Sequence, residues 1–282
     1  MNNTFTLLPM SQRFTLTPGK TTEGFIKIVN PADATEDFAY KVSVTPYGVI
    51  GEDYTADLEH DSARTAISKW IKIEEPTGEV KPNEVKEVKF TIDVPENAPI
   101  GGQYATIAVS SNNDMSGNSG VAVQNVLEMA SVIYATVEGP IERKGEILEN
   151  NVPGFVVSTP VTLSALINNE GNIHEDATFV ISASDFFTGR VILPTEDDDG
   201  EYSELIMPET TRLIERNISN LPALGVVKIS QTIYYRGVSS PVEKVVIICP
   251  IWFMALIALT LASIVFTIVH TIRKHKKKKL SV

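Results

Sequence analysis

Side chains that could perform acid–base or nucleophilic chemistry are few in this sequence and lie far apart. The histidines are His60, His174, His270 and His275. No zinc-protease, nucleophile-elbow or phosphate-loop motif occurs. His60-Asp61-Ser62 sets three triad residue types side by side. Working triads combine residues that are distant in sequence, so we interpret this run as a polar loop. The sequence predicts no catalytic residue, no bound cofactor and no enzymatic activity.

The acidic run Glu196-Asp-Asp-Asp-Gly-Glu201 is the stretch with the most potential ligands for a cation. Calcium binds through several oxygen ligands, which in the EF-hand follow a fixed spacing. Thr195 stands where the first carboxylate of that loop should be. We therefore interpret the run as a solvated turn without a metal, with calcium binding as the alternative.

Aromatic residues offer a second kind of candidate site. Tyr47, Tyr54, Trp70 and Tyr104 could form a platform for carbohydrate, and packing in a core or at an edge is the alternative. His174 closes a predicted turn, where we expect its ring to cap the turn or to face water. The sequence leaves the choice for the aromatic residues open.

The run from Val245 to Ile272 contains no Asp, Glu, Lys or Arg. A bilayer core of about 30 Å needs roughly 20 apolar helical residues, so this run predicts a transmembrane helix. Pro250 lies near its start, where a missing N–H costs a helix little. Trp252 lies near the same end, where an indole suits the headgroup region.

A basic segment follows this run. Its positive residues are Arg273, Lys274, Lys276, Lys277, Lys278 and Lys279. Positive charge beside a span stays in the cytoplasm, so we expect a single-pass cell-membrane protein with its large N-terminal part outside. The other 18 of the 24 Lys and Arg residues face 35 Asp and Glu residues, a formal charge of −17. Such an acidic exterior disfavours nucleic acid as a partner.

The cysteine content also bears on location. Cys249 is the only cysteine, so no intrachain disulfide can form. Secreted animal modules often carry disulfides, and their absence fits a bacterial surface protein better. The first ten residues lack the basic and apolar regions of a signal peptide, and we expect that such a segment was removed or lost.

Short runs of alternating apolar and polar residues, ended by turn residues, predict β-strands through most of the chain. Phe38 to Val44 and Val85 to Val94 are clear examples. Ile67 to Ile73 is also predicted as a strand, with Trp70 opposite the isoleucines. Ser110 to Gly120 is rich in Ser, Asn, Asp and Gly and predicts a mobile loop before a strand from Val121 to Val137.

Turn residues and charges between Gly139 and Gly145 indicate a boundary. We predict an all-β protein of two immunoglobulin-like β-sandwich domains, residues 1–139 and 140–242, followed by one transmembrane α-helix (245–272) and a basic cytoplasmic tail (273–282).

Several runs carry a resemblance to a known family. In the first half they are Phe14-Thr-Leu-Thr-Pro-Gly-Lys20, Ile28-Val-Asn-Pro31, Val80-Lys-Pro-Asn-Glu-Val-Lys-Glu-Val-Lys-Phe90 and Val94-Pro-Glu-Asn-Ala-Pro-Ile-Gly-Gly-Gln-Tyr104. In the second half they are Asn169-Glu-Gly-Asn-Ile-His174 and Pro208-Glu-Thr-Thr-Arg212. The chain resembles bacterial cell-surface proteins that interact with WxL-domain proteins.

The resemblance implies two β-sandwiches and a membrane anchor. It also implies peptidoglycan binding by the first domain and protein partners, WxL-type or other surface proteins, for the second. We accordingly expect a non-enzymatic, membrane-anchored adhesion protein. One alternative is an adhesin-like or structural subunit of a membrane complex that docks partners by β-strand addition. Another is a wall-active hydrolase, which would need paired carboxylates.

Overall fold

The computed structural model describes residues 5–111 and 127–279, with the backbone alone for residues 274–279. The chain divides into two compact units. The first comprises residues 1–145 with two turns from later in the chain, 168–175 and 206–212. The second comprises residues 146–167, 176–205 and 213–282. The boundary expected at residues 139 and 140 stays a prediction.

The first unit is a β-sandwich of eleven strands and one short 3₁₀ helix, Ala66–Lys69, in its described part. The strands are β1 (Thr6–Leu8), β2 (Ser11–Leu16), β3 (Thr21–Val29), β4 (Phe38–Pro46), β5 (Gly48–Ile50), β6 (Thr55–Asp57), β7 (Ile71–Ile73), β8 (Thr77–Val80), β9 (Val85–Asp93), β10 (Gly101–Ser111) and β11 (Glu128–Val137). One sheet has the order β1-β3-β9-β7 and the other β2-β11-β10-β4-β8, while β5 and β6 form a separate hairpin.

Alternation along the strands builds the core of the first unit. On β9, Val88, Phe90 and Ile92 are buried while the intervening lysine and threonine face outward or lie half-buried. Phe90 lies over Gly24 of β3, where an added Cβ would come within 2.3 Å of the Phe90 ring. Glycine is therefore required at position 24, because any side chain would displace the ring.

The predicted strand from Ile67 to Ile73 is wrong in its first half. Residues Ala66–Lys69 form the 3₁₀ helix, and only Ile71–Ile73 forms a strand. Ile67, Trp70 and Ile71 are all buried, so the tryptophan does not oppose the isoleucines. A turn of helix brings positions three and four apart to one side, which alternation cannot represent.

The long hairpin of β10 and β11 pairs Gly101 with Val137 and continues to Ser110 with Glu128. Ser110 and Ser111 belong to β10 and not to a loop. Residues 112–126, which hold the rest of the predicted loop and the start of the predicted strand at Val121, lie outside the described residues.

The remaining elements form a second β-sandwich and one helix. They are β12 (Gly145–Asn151), β13 (Phe155–Val156), β14 (Val161–Asn169), β15 (Glu175–Asp185), β16 (Val191–Leu193), β17 (Glu201–Ile206), β18 (Thr210–Ile218), β19 (Gly225–Tyr235), β20 (Val238–Ile248) and α1 (Ile251–Lys279). One sheet has the order β12-β14-β18, and the other β13-β20-β19-β15-β16 with β17 also on β15. Some of these strands end in the turns that belong to the first unit.

The core of the second unit lies between these two sheets. Its buried residues include Leu163 of β14, Ile181 of β15, Ile229 of β19 and Val246 and Ile248 of β20. The predicted fold class is confirmed: the protein is all-β, with two immunoglobulin-like sandwiches and one C-terminal apolar helix.

A buried asparagine fixes the chain after β3. The Asn30 side-chain amide donates to the Glu36 carbonyl at 3.0 Å and to the Val80 carbonyl at 2.9 Å. Asn169, at the end of β14, is also buried and donates to the carbonyls of Ile173 and Ile206 at 2.9 and 3.0 Å. Both buried amides thus donate their hydrogens to backbone carbonyl oxygens, as buried polar groups require.

Candidate functional site

Of the elements described, helix α1 gives the clearest indication of a function. Its segment Ile251–Arg273 is long and apolar enough to cross a membrane, by length and composition, and none of it is buried within the protein. At 1.5 Å per residue it spans about 34 Å, close to the roughly 30 Å of a bilayer core. Leu259 and Phe266 are each 70% exposed. So continuous an apolar surface needs an apolar environment.

Three threonine hydroxyls of α1 donate hydrogen bonds within the helix. Thr260 donates to the Ile257 carbonyl at 2.7 Å, Thr267 to the Ser263 carbonyl at 2.8 Å and Thr271 to the Thr267 carbonyl at 2.8 Å. A helix can carry threonines through an apolar environment when their hydroxyls are bonded in this way.

The helix begins later than predicted. Val245 lies in β20, opposite Lys228 of β19, and Val246 and Ile248 are core residues of the sandwich. The expected span from Val245 is therefore wrong at its first residues, because a buried strand and a membrane helix are equally apolar in sequence. The Pro250 carbonyl accepts the first helical bonds, from the N–H groups of Phe253 at 2.9 Å and Met254 at 3.1 Å.

The other residues predicted for the anchor lie on or beside α1. Trp252 is exposed in the first turn, and Ile272 is exposed near the far end. The basic residues Arg273, Lys274, Lys276, Lys277, Lys278 and Lys279 continue the same helix to its last described residue. The apolar and basic segments thus form one continuous helix.

Open sheet edges are a second candidate binding feature. In the described residues, β18 is the last strand of the sheet of β12, β14 and β18. An unpaired edge can accept a strand from another protein. Leu213 on β18 is exposed, while Arg216 bonds to Glu204 and stacks 4.5 Å from the Tyr202 ring.

The aromatic residues considered as a platform are packed inward. Trp70 and Tyr104 are buried, and Tyr47 and Tyr54 are half-buried. The Tyr54 hydroxyl accepts the Met207 N–H at 2.9 Å and bonds to Thr210 Oγ1. These contacts favour core packing over an exposed carbohydrate platform.

His174 does not simply cap its turn or face water. Its ring is half-buried, and its Nδ1 lies 3.2 Å from the Tyr104 hydroxyl. Tyr104 also packs edge-on to Tyr134 at 6.0 Å. Burial raises the pKa of Tyr104 well above its usual range. The tyrosine hydroxyls of this cluster are therefore uncharged at neutral pH. The rings pack against one another within the first unit.

Sequence reasoning did not single out Arg64, which joins this part of the first unit. Its guanidinium donates to the carbonyls of Ile100 at 3.1 Å and Asn172 at 3.3 Å, and to Glu209 Oε1 at 2.6 Å. The partners are distant in sequence, so no local pattern could have indicated them.

His60 pairs with Asp57 and not with the serine of the run 60–62. Its Nδ1 lies 2.9 Å from Asp57 Oδ1, whereas the Ser62 hydroxyl contacts Thr65 Oγ1 at 3.3 Å and accepts the Arg64 N–H at 3.2 Å. The contacts agree with a polar loop. The hydrogen bond to Asp57 raises the pKa of His60, and the bond from His60 lowers the pKa of Asp57.

We expect the hydrogen bond to set the pH dependence of the His60 contribution to stability. Because the folded pKa of His60 lies above its unfolded value, its stabilisation is present below about pH 6.5 and is lost as pH rises through the folded pKa. In an NMR titration, Asp57→Asn should lower the His60 pKa toward 6.5. An unaltered His60 pKa would show that the contact is absent in solution.

The acidic turn is internally bonded. Asp198 accepts the Tyr202 hydroxyl at 2.7 Å and the Gly200 N–H at 2.9 Å. The Tyr202 bond lowers the pKa of Asp198, while burial raises the pKa of Tyr202 to about 12. Within the described residues no group of three or more His, Cys, Asp or Glu side chains could hold a metal ion.

A cleft of about 1040 Å³ in the second unit is lined by Asp185, Arg190 and Glu196 among others. The Asp185 carboxylate accepts the N–H groups of Phe187 at 3.1 Å and Thr188 at 2.7 Å. Its hydrogen bond from the Thr188 hydroxyl is the main cause that lowers the pKa of Asp185. A glycosidase acid needs the opposite shift.

Comparison with known proteins shows that the chain is similar in fold to solved structures, and shows nothing further. No protein-family model matches the chain, and no curated protein matches it significantly. The class 5 fimbriae chaperone CfaA is similar, with TM-score 0.41 and 11% identity over 86% of this chain and 99% of that chain. The E. coli chaperone DraB follows, with TM-score 0.39 and 13% identity over 85% of this chain and 96% of that chain.

A third similar structure is the Salmonella enterica SafA pilin in complex with the SafB chaperone. Its TM-score is 0.40 at 10% identity, covering 85% of this chain and 95% of that chain. Likeness at this level is no argument for a shared ligand or partner.

Proposed function

We propose that this chain is a non-enzymatic, single-pass membrane protein whose two sandwiches bind partners at a bacterial cell surface. One observation carries the proposal: the apolar segment Ile251–Arg273, of which no part is buried within the protein, follows the second sandwich after two residues, Cys249 and Pro250. In this proposal the basic residues from Arg273 hold the C-terminus in the cytoplasm, and the two sandwiches lie outside.

Cysteine labelling of intact cells tests this topology. Cys249 is first replaced by Ala, and a single cysteine is placed at Val238 or at Ser281. A membrane-impermeant maleimide should label the Val238→Cys protein in intact cells and the Ser281→Cys protein only after permeabilisation. The reverse pattern would overturn the orientation, and labelling of both in intact cells would overturn the membrane span.

We further propose that the first unit binds peptidoglycan and that the second binds WxL-type or other surface proteins. The sequence resemblance described above supports these roles. The formal charge of −17 before the basic segment would repel anionic wall polymers, so electrostatic attraction should not drive wall binding. Sedimentation of the detergent-solubilised full chain with purified peptidoglycan should detect the complex.

Salt dependence tests the stated basis of wall binding. From low to physiological salt the bound fraction should change less than roughly two-fold, because screening here removes only repulsion. A steep loss of binding would reveal a local basic patch and contradict the charge argument. Absence of sedimentation at any salt concentration would overturn peptidoglycan as the ligand.

A second candidate function is strand docking at β18, favoured by the position of β18 as the last strand of its sheet and by the exposed Leu213. A photo-crosslinking amino acid at Leu213 should then capture a surface partner in cells. Val180 is a matched control, since its exposure is 39% against 38% for Leu213 and it lies on β15, which has strand partners on both sides. Equal capture at both positions would argue against docking at this edge.

A further inference from the structure

The turn between β15 and β16 carries two adjacent exposed phenylalanines. Phe186 is 49% exposed and Phe187 is 77% exposed. Their rings pack edge to face, with centroids 5.3 Å apart. Hairpin ends are normally made of small and polar residues, so two exposed aromatic rings at such a position indicate a contact surface.

The backbone holds this turn in one conformation. As described for the cleft, the Asp185 carboxylate accepts the N–H groups of Phe187 and Thr188, and it also accepts the Thr188 hydroxyl at 2.7 Å. The Gly189 N–H donates to the Asp185 carbonyl at 2.9 Å, and Gly189 has a φ of +69°, a left-handed conformation that favours glycine. The phenylalanines are therefore presented by an ordered turn.

Strand register places this turn at the end of the sheet from which α1 leaves. The Phe186 N–H donates to the Val226 carbonyl at 3.0 Å, and Val226 lies opposite Ile247 of β20. The first residue of α1, Ile251, comes four positions later. Because neighbouring strands are about 4.8 Å apart, β15 lies about 10 Å from β20 across β19.

Other exposed apolar residues lie at the same end of the second unit. Leu224, which is 40% exposed, directly precedes β19, and Val157 directly follows β13. The Cys249 N–H donates to the Val156 carbonyl at 2.9 Å, so Val157 also lies level with the start of α1. Exposed Trp252 continues the series on the helix itself.

We propose that Phe186 and Phe187, with Leu224 beside them, insert into the interfacial layer of the bilayer that α1 spans. The partner is the lipid surface, where headgroups meet acyl chains. Aromatic side chains are enriched in this layer. Continuity with α1 supports this partner, because only Cys249 and Pro250 separate the end of β20 from the helix. The inference rests on the proposed membrane insertion of α1.

A spin-label experiment on the full chain in phosphatidylglycerol–phosphatidylcholine nanodiscs tests the proposal. In a Cys249→Ala background, single cysteines at Phe187, Val238 and Ile264 carry a nitroxide. Val238 is a matched control because it is 63% exposed and lies at the opposite end of β20. Collisions with molecular oxygen and with a water-soluble nickel chelate report the depth of each label.

At position 187 the nickel collision rate should be roughly half or less of that at position 238, with oxygen collisions raised, as expected for the interfacial layer. A water-like label at 187 with a lipid-buried label at 264 would overturn this inference alone. A water-like label at 264 would instead overturn membrane insertion itself. Shielding of position 187 from both reagents would indicate a protein contact and would also overturn lipid insertion.

A second measurement places the label at a site other than the two phenylalanines that it tests. A label at Leu224→Cys should become more accessible to the nickel chelate when Phe186 and Phe187 are both changed to serine. The same pair of changes should leave a label at Val238 unaltered. No change at position 224 would show that the phenylalanines do not hold this end of the sandwich at the membrane.

Discussion

Replacing Asn30 by Asp should destabilise the first unit by about 3–5 kcal/mol at neutral pH, the usual effect of leaving a buried charge without a partner. The Asn30 side chain is buried, and its amide donates to two backbone carbonyls, those of Glu36 and Val80. A carboxylate has no hydrogen to donate, so its charge would face two carbonyl oxygens.

The effect of Asn30→Asp should depend on pH with a defined sign. Burial raises the folded pKa of an aspartic acid above its unfolded value of about 3.9. The protonated form is then favoured in the folded protein, so stability is retained below the unfolded pKa and is lost as pH rises through the folded pKa. The difference in free energy of unfolding between the Asn30→Asp variant and the original protein should therefore grow between pH 4 and pH 8.

Tryptophan fluorescence can measure this change in one unit alone. The two tryptophans are Trp70, in the core of the first unit, and Trp252, in α1. In residues 1–250, urea unfolding followed by fluorescence reports Trp70 alone. Asn97→Asp is the control, because Asn97 is exposed, and it should change stability by less than about 0.5 kcal/mol. Equal midpoints for both variants would contradict the role of Asn30.

Arginine at both Leu261 and Ile264 should remove α1 from the membrane. Both side chains are exposed near the middle of the apolar segment. One arginine at the centre of a span costs about 2.5–3.5 kcal/mol on insertion scales, so two should cost about 5–7 kcal/mol. The protein should then appear in the alkaline carbonate supernatant and not in the membrane pellet.

Ile272→Arg is the matched control for this prediction. Ile272 lies next to Arg273 at the end of the apolar segment, where a long basic side chain can reach the headgroups. The fraction of the Ile272→Arg protein in the membrane pellet should equal that of the original protein. Retention of the Leu261→Arg, Ile264→Arg protein in the pellet would mean that another part of the chain holds it there.

The sequence was informative where a strand has one buried face and one exposed face. Val85 to Val94 alternates, and β9 follows with Val88, Phe90 and Ile92 buried. The alternating pattern gave a wrong prediction of a strand at Ile67, because a single 3₁₀ turn buries Ile67 and Trp70 together. The start of the anchor was misplaced at Val245 because apolar content alone does not separate a core strand from a helix.

Side-chain partners were the least predictable feature. His174 meets Tyr104 across 70 residues, and Arg64 meets Glu209 across 145 residues. No local pattern encodes such pairs, since the fold alone brings them together. Phe186 and Phe187 are a different case, because their position beside α1 depends on the register of three strands. Peptidoglycan and WxL-type partners remain predictions from the resemblance.

The connection of two residues between β20 and α1 has a mechanical consequence. A pulling force on the anchored protein reaches the sandwich at Ile248 without slack, because no flexible segment intervenes. β20 pairs with β19 in continuous register from Val238 to Ile248. A force along β20 would shear all of these hydrogen bonds together and would not peel them one by one. If α1 is anchored in a membrane as proposed, tension on the second sandwich would therefore pass directly into the helix.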